Sequence, residues 1–90
     1  MLEEERKKLE SQFNDAVERS NKLPKQSTDV QLELYSFYKQ ALFGDATGER
    51  PGRTKVKARA KFDRWVSRKG MSKEDAMKEY IALVNKLENT

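Results

Sequence analysis

Histidine and cysteine are both absent from this 90-residue chain. Without cysteine there is no disulfide framework and no thiolate metal site, so any core must hold by packing alone. Without histidine the commonest general base near neutral pH and the commonest metal ligand are missing. Catalysis would have to rest on Lys, Tyr, Asp or Glu, yet no two carboxylates stand at a spacing that suggests acid and base roles, and the serines have no base partner. Long apolar runs are lacking as well. None approaches the length of a bilayer span, and the first ten residues carry several glutamates, which secretory signals and mitochondrial presequences tolerate poorly. The expectation is a cytoplasmic protein that is not an enzyme, with no metal, no cofactor and no stable membrane insertion.

Glycine and proline are also scarce, at 4 and 2 residues, and they punctuate the chain. Between them the apolar residues recur every three or four positions, the period of an amphipathic helix. Leu9, Phe13, Ala16, Val17 and Ser20 predict a first helix over about 2–22, ending before Leu23-Pro24. Ser27-Thr28-Asp29 offers cap side chains, and Thr28 with Gln31 fits a capping box, so Val30, Leu34, Phe37 and Ala41 form the core stripe of a second helix over 28–43 that stops at Gly44. Residues 44–53 hold three glycines and a proline and show no helical period, which predicts a long crossing loop. Those glycines do not make a phosphate loop, because they follow a helix and no Gly-Lys-Ser/Thr comes after them. Ala58, Phe62, Trp65 and Val66 define a third helix over 54–69, with Gly70 as a left-handed cap. Ser72 caps a fourth over 72–88, with Asp75 in its first turn and Met77, Tyr80, Ile81, Val84 and Leu87 facing inward. One domain spanning residues 1–90, an all-α four-helix bundle, is the economical fold. No second apolar stripe is left for a partner, so the expected state is a monomer.

The net charge of +4 conceals an asymmetry. Residues 1–49 carry 7 basic and 10 acidic side chains, residues 50–69 carry 9 basic and one acidic, and residues 70–90 carry 3 and 4. Within the basic stretch Lys57, Lys61, Arg64 and Arg68 fall at i, i+4, i+7 and i+11, so their charges add along one ridge. A solvated helix face explains such a ridge as readily as a binding surface does. The near-absence of interleaved acids, with Asp63 alone in reach, favours an anionic ligand. On the second helix Tyr35, Tyr38, Lys39 and Leu42 share a face beside the core stripe. Two phenols with a lysine suit a stacked base and a phosphate together, and tyrosines that simply border the core with their hydroxyls in water give the same pattern. Tyr80 sits among core positions.

The blocks Leu34-Tyr35-Ser36-Phe37-Tyr38-Lys39-Gln40-Ala41, Gly44-Asp45, Glu49-Arg50-Pro51-Gly52, Ala60-Lys61-Phe62-Asp63-Arg64-Trp65 and Lys69-Gly70-Met71-Ser72-Lys73-Glu74-Asp75-Ala76-Met77-x-x-Tyr80-Ile81 resemble the acyl-CoA-binding protein family in order and spacing. The resemblance covers roughly residues 13–87. It implies an up-down-down-up bundle that binds and carries medium- to long-chain acyl-CoA esters, forms an intracellular pool of them and passes them to enzymes that use them. It also implies a ligand-binding set of Tyr35, Ser36, Phe37, Tyr38, Lys39, Lys57, Lys61 and Tyr80. Within that set Tyr35, Tyr38 and Lys39 match the residues that hold the adenine and the 3′-phosphate, and Lys61 matches a second lysine on that phosphate. Lys57 matches a further nucleotide contact, and Tyr80 a tyrosine lying against the ligand. The family pattern carries tryptophan where Phe62 stands, and its lysine on the first helix aligns with Asn21. The alternative reading is a helical nucleic-acid-binding module that uses the basic ridge of the third helix.

Overall fold

The structure, a computed structural model, describes residues 2–90; the first residue of the expected 1–90 domain lies outside the described residues. Four helices follow one another: α1 Glu3–Ser20, α2 Thr28–Phe43, α3 Val56–Val66 and α4 Lys73–Glu88. Their starts reflect local chemistry. Glu3, Glu4 and Glu5 occupy the first turn of α1, where carboxylates suit the positive end of the helix dipole. The Ser72 hydroxyl accepts the Asp75 N–H at 3.0 Å and caps α4. On α2 the cap is Ser27, one residue before the expected Thr28, because Ser27 holds the extended conformation and its hydroxyl accepts the Val30 N–H at 3.2 Å. Gln31 instead donates to the Gln26 carbonyl.

The third helix is shorter than the expected 54–69. Before it, the Lys55 N–H bonds back to the Gly52 carbonyl, forming a turn. After it, the amides of Arg68 and Lys69 bond to Trp65 and Val66, three residues back, so the chain tightens into turns before Gly70 at φ +90. Its expected core stripe is also thinner. Trp65 alone is buried, Phe62 is half-buried, and Ala58 and Val66 are exposed.

Ion pairs at both ends show that α1 and α4 run parallel. Arg6 meets Glu74 near one end, and Arg19 meets Glu88 and Asn85 near the other. With α2 antiparallel to both and the long 44–55 connection bringing α3 back alongside α2, the order is up-down-down-up. The core lies where α4 meets α1 and α2. Phe13 is at its centre, edge-on to Tyr80 (5.2 Å, 69°) and stacked near Tyr38 (6.1 Å, 28°), with Leu9, Ala16, Phe37, Ala41, Met77 and Val84 closing around.

Helix α3 packs on α2 alone. The Trp65 indole N–H donates to the Gly44 carbonyl at 2.9 Å, and Gly44 (φ +77) holds a backbone conformation that a side chain would strain. Arg64 bonds Asp29 and Glu33. Arg68 bonds Glu33 and the Ser36 hydroxyl, with its guanidinium 4.1 Å from the centre of the Phe37 ring. These groups lock α3 at one height along α2, which sets where the lysines of its first turns lie.

The loop is tied down by carboxylates. Buried Gln40 donates to Asp45 (2.9 Å) and to the Met71 carbonyl (2.8 Å), and Asp45 also accepts the Gly70 N–H (2.9 Å). Arg50 grips Asp63 with both arms of its fork, at 2.8 and 2.7 Å. The Gly70 amide and Gln40 hold the Asp45 carboxyl below the usual aspartate range, and the Arg50 hydrogen bonds do the same for Asp63. A carboxyl depressed in the folded state contributes stability above its unfolded pKa and loses it as pH falls through the folded one. The urea midpoint should therefore be flat from pH 7 to 5 and fall below about pH 4. Asp45→Asn, which keeps an acceptor but cannot titrate, should start lower and fall less. An equally steep fall in that variant would remove Asp45 from the account.

Candidate functional site

On the face of α2 opposite the α3 clamp, the helices leave a groove of about 430 Å³. Val17, Ser20 and Asn21 from the end of α1 form one wall, and Leu34, Tyr35 and Tyr38 from α2 form the other. Tyr80 closes the floor. It is 4% exposed, and its hydroxyl lies 2.8 Å from the Ser20 hydroxyl. Burial pushes its phenol above the usual tyrosine range despite that hydrogen bond, so it stays neutral at physiological pH. Tyr80 thus serves the core and the groove at once.

Gln31 lines this groove and also a second one of about 400 Å³, so the two adjoin. The second groove runs between the first turns of α2 and α3 and is bounded by Lys25, Thr28, Leu32, Lys57, Ala60 and Lys61. A phenol-lined, largely apolar groove therefore lies beside a cationic one. The junction is marked by Tyr35. The Lys61 ammonium lies 5.3 Å from the centre of its ring, and the Lys39 ammonium lies 5.8 Å from the same ring. Lys39 also sits 4.6 Å from the Phe43 ring and 5.2 Å from that of Trp65. Among the described residues none of Lys25, Lys39, Lys57 and Lys61 takes part in an ion pair. Their charge is uncompensated and concentrates on this mouth. Such a site can stack a planar base on a phenol, hold phosphates with lysine and bury a hydrocarbon in the adjoining groove.

The family described as Acyl CoA binding protein matches residues 10–84, which takes in both walls and the floor of the groove. This chain belongs to the acyl-CoA-binding protein family. An acyl-CoA-binding protein of Saccharomyces cerevisiae is 51% identical over 76 residues, 83% of this chain and 87% of that protein. An acyl-CoA-binding protein homolog of Manduca sexta is 46% identical over 81 residues, 88% of this chain and 90% of its own length. The crystal structure of Oryza sativa acyl-CoA-binding protein 2 superposes with a TM-score of 0.87 at 40% identity, covering 90% of this chain and 91% of that one. The acyl-CoA-binding protein of Moniliophthora perniciosa gives 0.78 at 36% identity, covering 90% and 84%.

Within this family fold the residues singled out by sequence separate into two groups. Tyr35, Tyr38 and Tyr80 line the first groove, Lys57 and Lys61 line the second, and Lys39 stands beside the junction without lining either. Ser36 and Phe37 do not join them. Each helical residue turns about 100° from the last, so these two point back into the protein. Ser36 is fully buried, donating to the Glu33 carbonyl and accepting from Arg68, and Phe37 is 6% exposed under the Arg68 guanidinium. The basic ridge divides as well. Arg64 and Arg68 are engaged by Asp29 and Glu33, and of the four only Lys57 and Lys61 form no ion pair among the described residues, so the ridge is not a continuous row of free cations. Gln31 and Lys25 were not singled out. Gln31 could have been, since it shares the i, i+4, i+7 face of Tyr35 and Tyr38. Lys25, in the linker after Pro24, carries no periodic signal.

Proposed function

We propose that this protein is a carrier of fatty acyl-CoA esters, and that residues 1–90 form one acyl-CoA-binding domain. The observation that carries the proposal is the adjacency of the two grooves, which share Gln31 as a lining residue and suit an ester with an anionic nucleotide at one end and a hydrocarbon at the other. In this reading the adenine stacks beside Tyr35 and Tyr38, the 3′-phosphate lies between Lys39 and Lys61, and Lys57 meets a further phosphate. The acyl chain takes the apolar part, against Tyr80. The protein acts as a monomer in the cytoplasm, shielding the ester from water and releasing it to enzymes that consume it. It performs no chemistry on its cargo: the sequence has neither histidine nor cysteine, and the relatives are named as binding proteins. No helix among the described residues is long and apolar enough to cross a membrane.

Calorimetric titration with palmitoyl-CoA, free CoA and free palmitate in parallel, below the micelle concentration, tests the proposal. The ester should bind one to one and far more tightly than either half. Affinity should rise about fourfold for each methylene buried, until the groove is full. No heat with the ester, or free CoA binding as tightly as the ester, would defeat the carrier reading.

A further inference from the structure

Phe43 is 60% exposed at the last position of α2 and stands outside the hydrophobic core. It lines neither groove of the proposed site. Its place is nevertheless fixed. The chain turns immediately after it at Gly44, whose carbonyl is held by the Trp65 indole, and the Phe43 ring stands 6.3 Å from the Trp65 ring at 54°. The two rings form an open corner. Lys39, one turn back on the same face of α2, lays its ammonium into that corner, 4.6 Å from the centre of the Phe43 ring and 5.2 Å from that of Trp65. Tyr35, another turn back, supplies a third ring at 5.8 Å. All three distances lie within the range of a cation–π attraction. Lys39 is also half-buried, whereas Lys25, Lys57 and Lys61 at the same mouth are exposed.

This arrangement works against a repulsion. The Lys61 ammonium approaches the same Tyr35 ring to 5.3 Å, so two cations share one phenol, and neither forms an ion pair among the described residues. A flexible lysine with nothing to hold it would swing outward, away from its neighbour's charge. We propose that Phe43 is a positioning residue for phosphate recognition: with Trp65 it holds the Lys39 ammonium at the mouth before a ligand arrives, and so raises the preference for a nucleotide that carries a 3′-phosphate. A lysine free in solvent must be ordered at the moment of binding, which subtracts from affinity, and one already laid against rings is spared much of that cost. The rings take the place of water on one side of the ammonium without neutralising it, so its charge remains available to a phosphate. The inference rests on the carrier reading and on its placement of the 3′-phosphate between Lys39 and Lys61.

Phe43→Leu, which keeps an apolar side chain and removes the ring, tests the role in two ways. The first needs no ester. Ring currents should shift the Lys39 ε-methylene protons upfield in the NMR spectrum of the unmodified protein, and Phe43→Leu should move them back toward the positions of an exposed lysine. The second is calorimetric titration with palmitoyl-CoA and with its 3′-dephospho analogue. One cation–π contact at a partly exposed site corresponds to about two- to fivefold in affinity, so Phe43→Leu should bind palmitoyl-CoA more weakly by that factor and the 3′-dephospho ester as the unmodified protein does. Phe43→Tyr, which restores a ring, should restore the preference. In a Lys39→Ala background Phe43→Leu should change neither titration. Equal weakening toward both esters would overturn the role, because Phe43 would then act on the groove and not through the lysine. So would unchanged affinity for both, or tighter binding of palmitoyl-CoA by Phe43→Leu, which would mean that the ring draws the ammonium away from the phosphate. Lys39 protons at ordinary positions in the unmodified protein would overturn the holding itself. The carrier reading stands in each of those cases. It fails if the unmodified protein does not bind palmitoyl-CoA, and the role of Phe43 then falls with it.

Discussion

Lys39→Ala will weaken palmitoyl-CoA binding by about ten- to a hundredfold, the range expected when one charge-assisted contact worth about 1.5–3 kcal/mol is lost. The magnitude follows from what surrounds the ammonium. It lies over the rings of Tyr35, Phe43 and Trp65 and forms no ion pair among the described residues, so its removal breaks none of them and strands no buried charge. Truncation should therefore cost little stability and act mainly on the ligand. Lys61 approaches the same tyrosine ring from α3, and the two lysines are proposed to share one phosphate. Lys61→Ala should lose a similar factor, and the double variant less than the product of the two, because removing either lysine weakens the reason for the other. The decisive comparison uses an ester lacking the 3′-phosphate. The unmodified protein should discriminate strongly against it, and Lys39→Ala/Lys61→Ala should treat the two esters nearly alike. A double variant that still preferred the phosphorylated ester as strongly as the unmodified protein would move the phosphate elsewhere, with Lys25 and Lys57 as the remaining cations of the mouth.

That these lysines could be named from sequence at all reflects how helices encode direction. The period of the apolar residues located four helices and placed Tyr35 and Tyr38 on one face, because a side chain's bearing on a helix follows from its number. It also puts Lys57, Lys61, Arg64 and Arg68 on one ridge, although Arg68 lies past the end of α3, in the turns before Gly70. What periodicity does not contain is the facing surface. Asp29 and Glu33 come from another helix, more than thirty residues earlier, and they convert half of the ridge into an interhelical clamp. Ser36 and Phe37 show the converse. They belong to the same contiguous block as Tyr35, Tyr38 and Lys39, but helical rotation turns their side chains inward, under Arg68.

The ends of α3 were illegible for a different reason. Residues 54 and 67–69 have ordinary helix formers among them, and nothing local forbids continuing the helix. Its limits are set by the Gly52–Lys55 turn before it, and after it by amides that reach three residues back rather than four. The Ser27 cap differs from the expected Thr28 by one residue because two adjacent hydroxyls offer the same chemistry and the backbone conformation decides between them. Lys25 follows the same logic. A linker residue has no period, so only the path of the folded chain brings it beside Lys57 and Lys61.

Phe13→Ala will be the most destabilising of these substitutions, lowering the melting temperature by about 15–30 °C. Phe13 is 2% exposed, and its ring meets Tyr38 of α2 and Tyr80 of α4 at once, so it joins three of the four helices. Removing a buried phenyl costs about 3–5 kcal/mol in lost transfer energy and cavity. Against a total stability on the order of 5–10 kcal/mol for a chain of this length, that is a large share, and each kcal/mol moves the midpoint by about 4–8 °C. Phe43→Ala supplies the contrast. Phe43 is 60% exposed on α2, and its loss should stay within about 1 kcal/mol. The Phe13 variant also links core to function. The two tyrosines that its ring supports are two of the three that line the groove, so the groove and the core share a wall. Palmitoyl-CoA at a hundred times its dissociation constant should restore about 2.7 kcal/mol to any variant that still forms the groove. Thermal melts with and without ester then separate two outcomes. A low midpoint that rises with ligand places Phe13 behind an intact groove. A low midpoint that ligand does not move means the tyrosine wall has collapsed with the core. A midpoint within a few degrees of the unmodified protein would show that Phe13 is not the keystone its burial indicates.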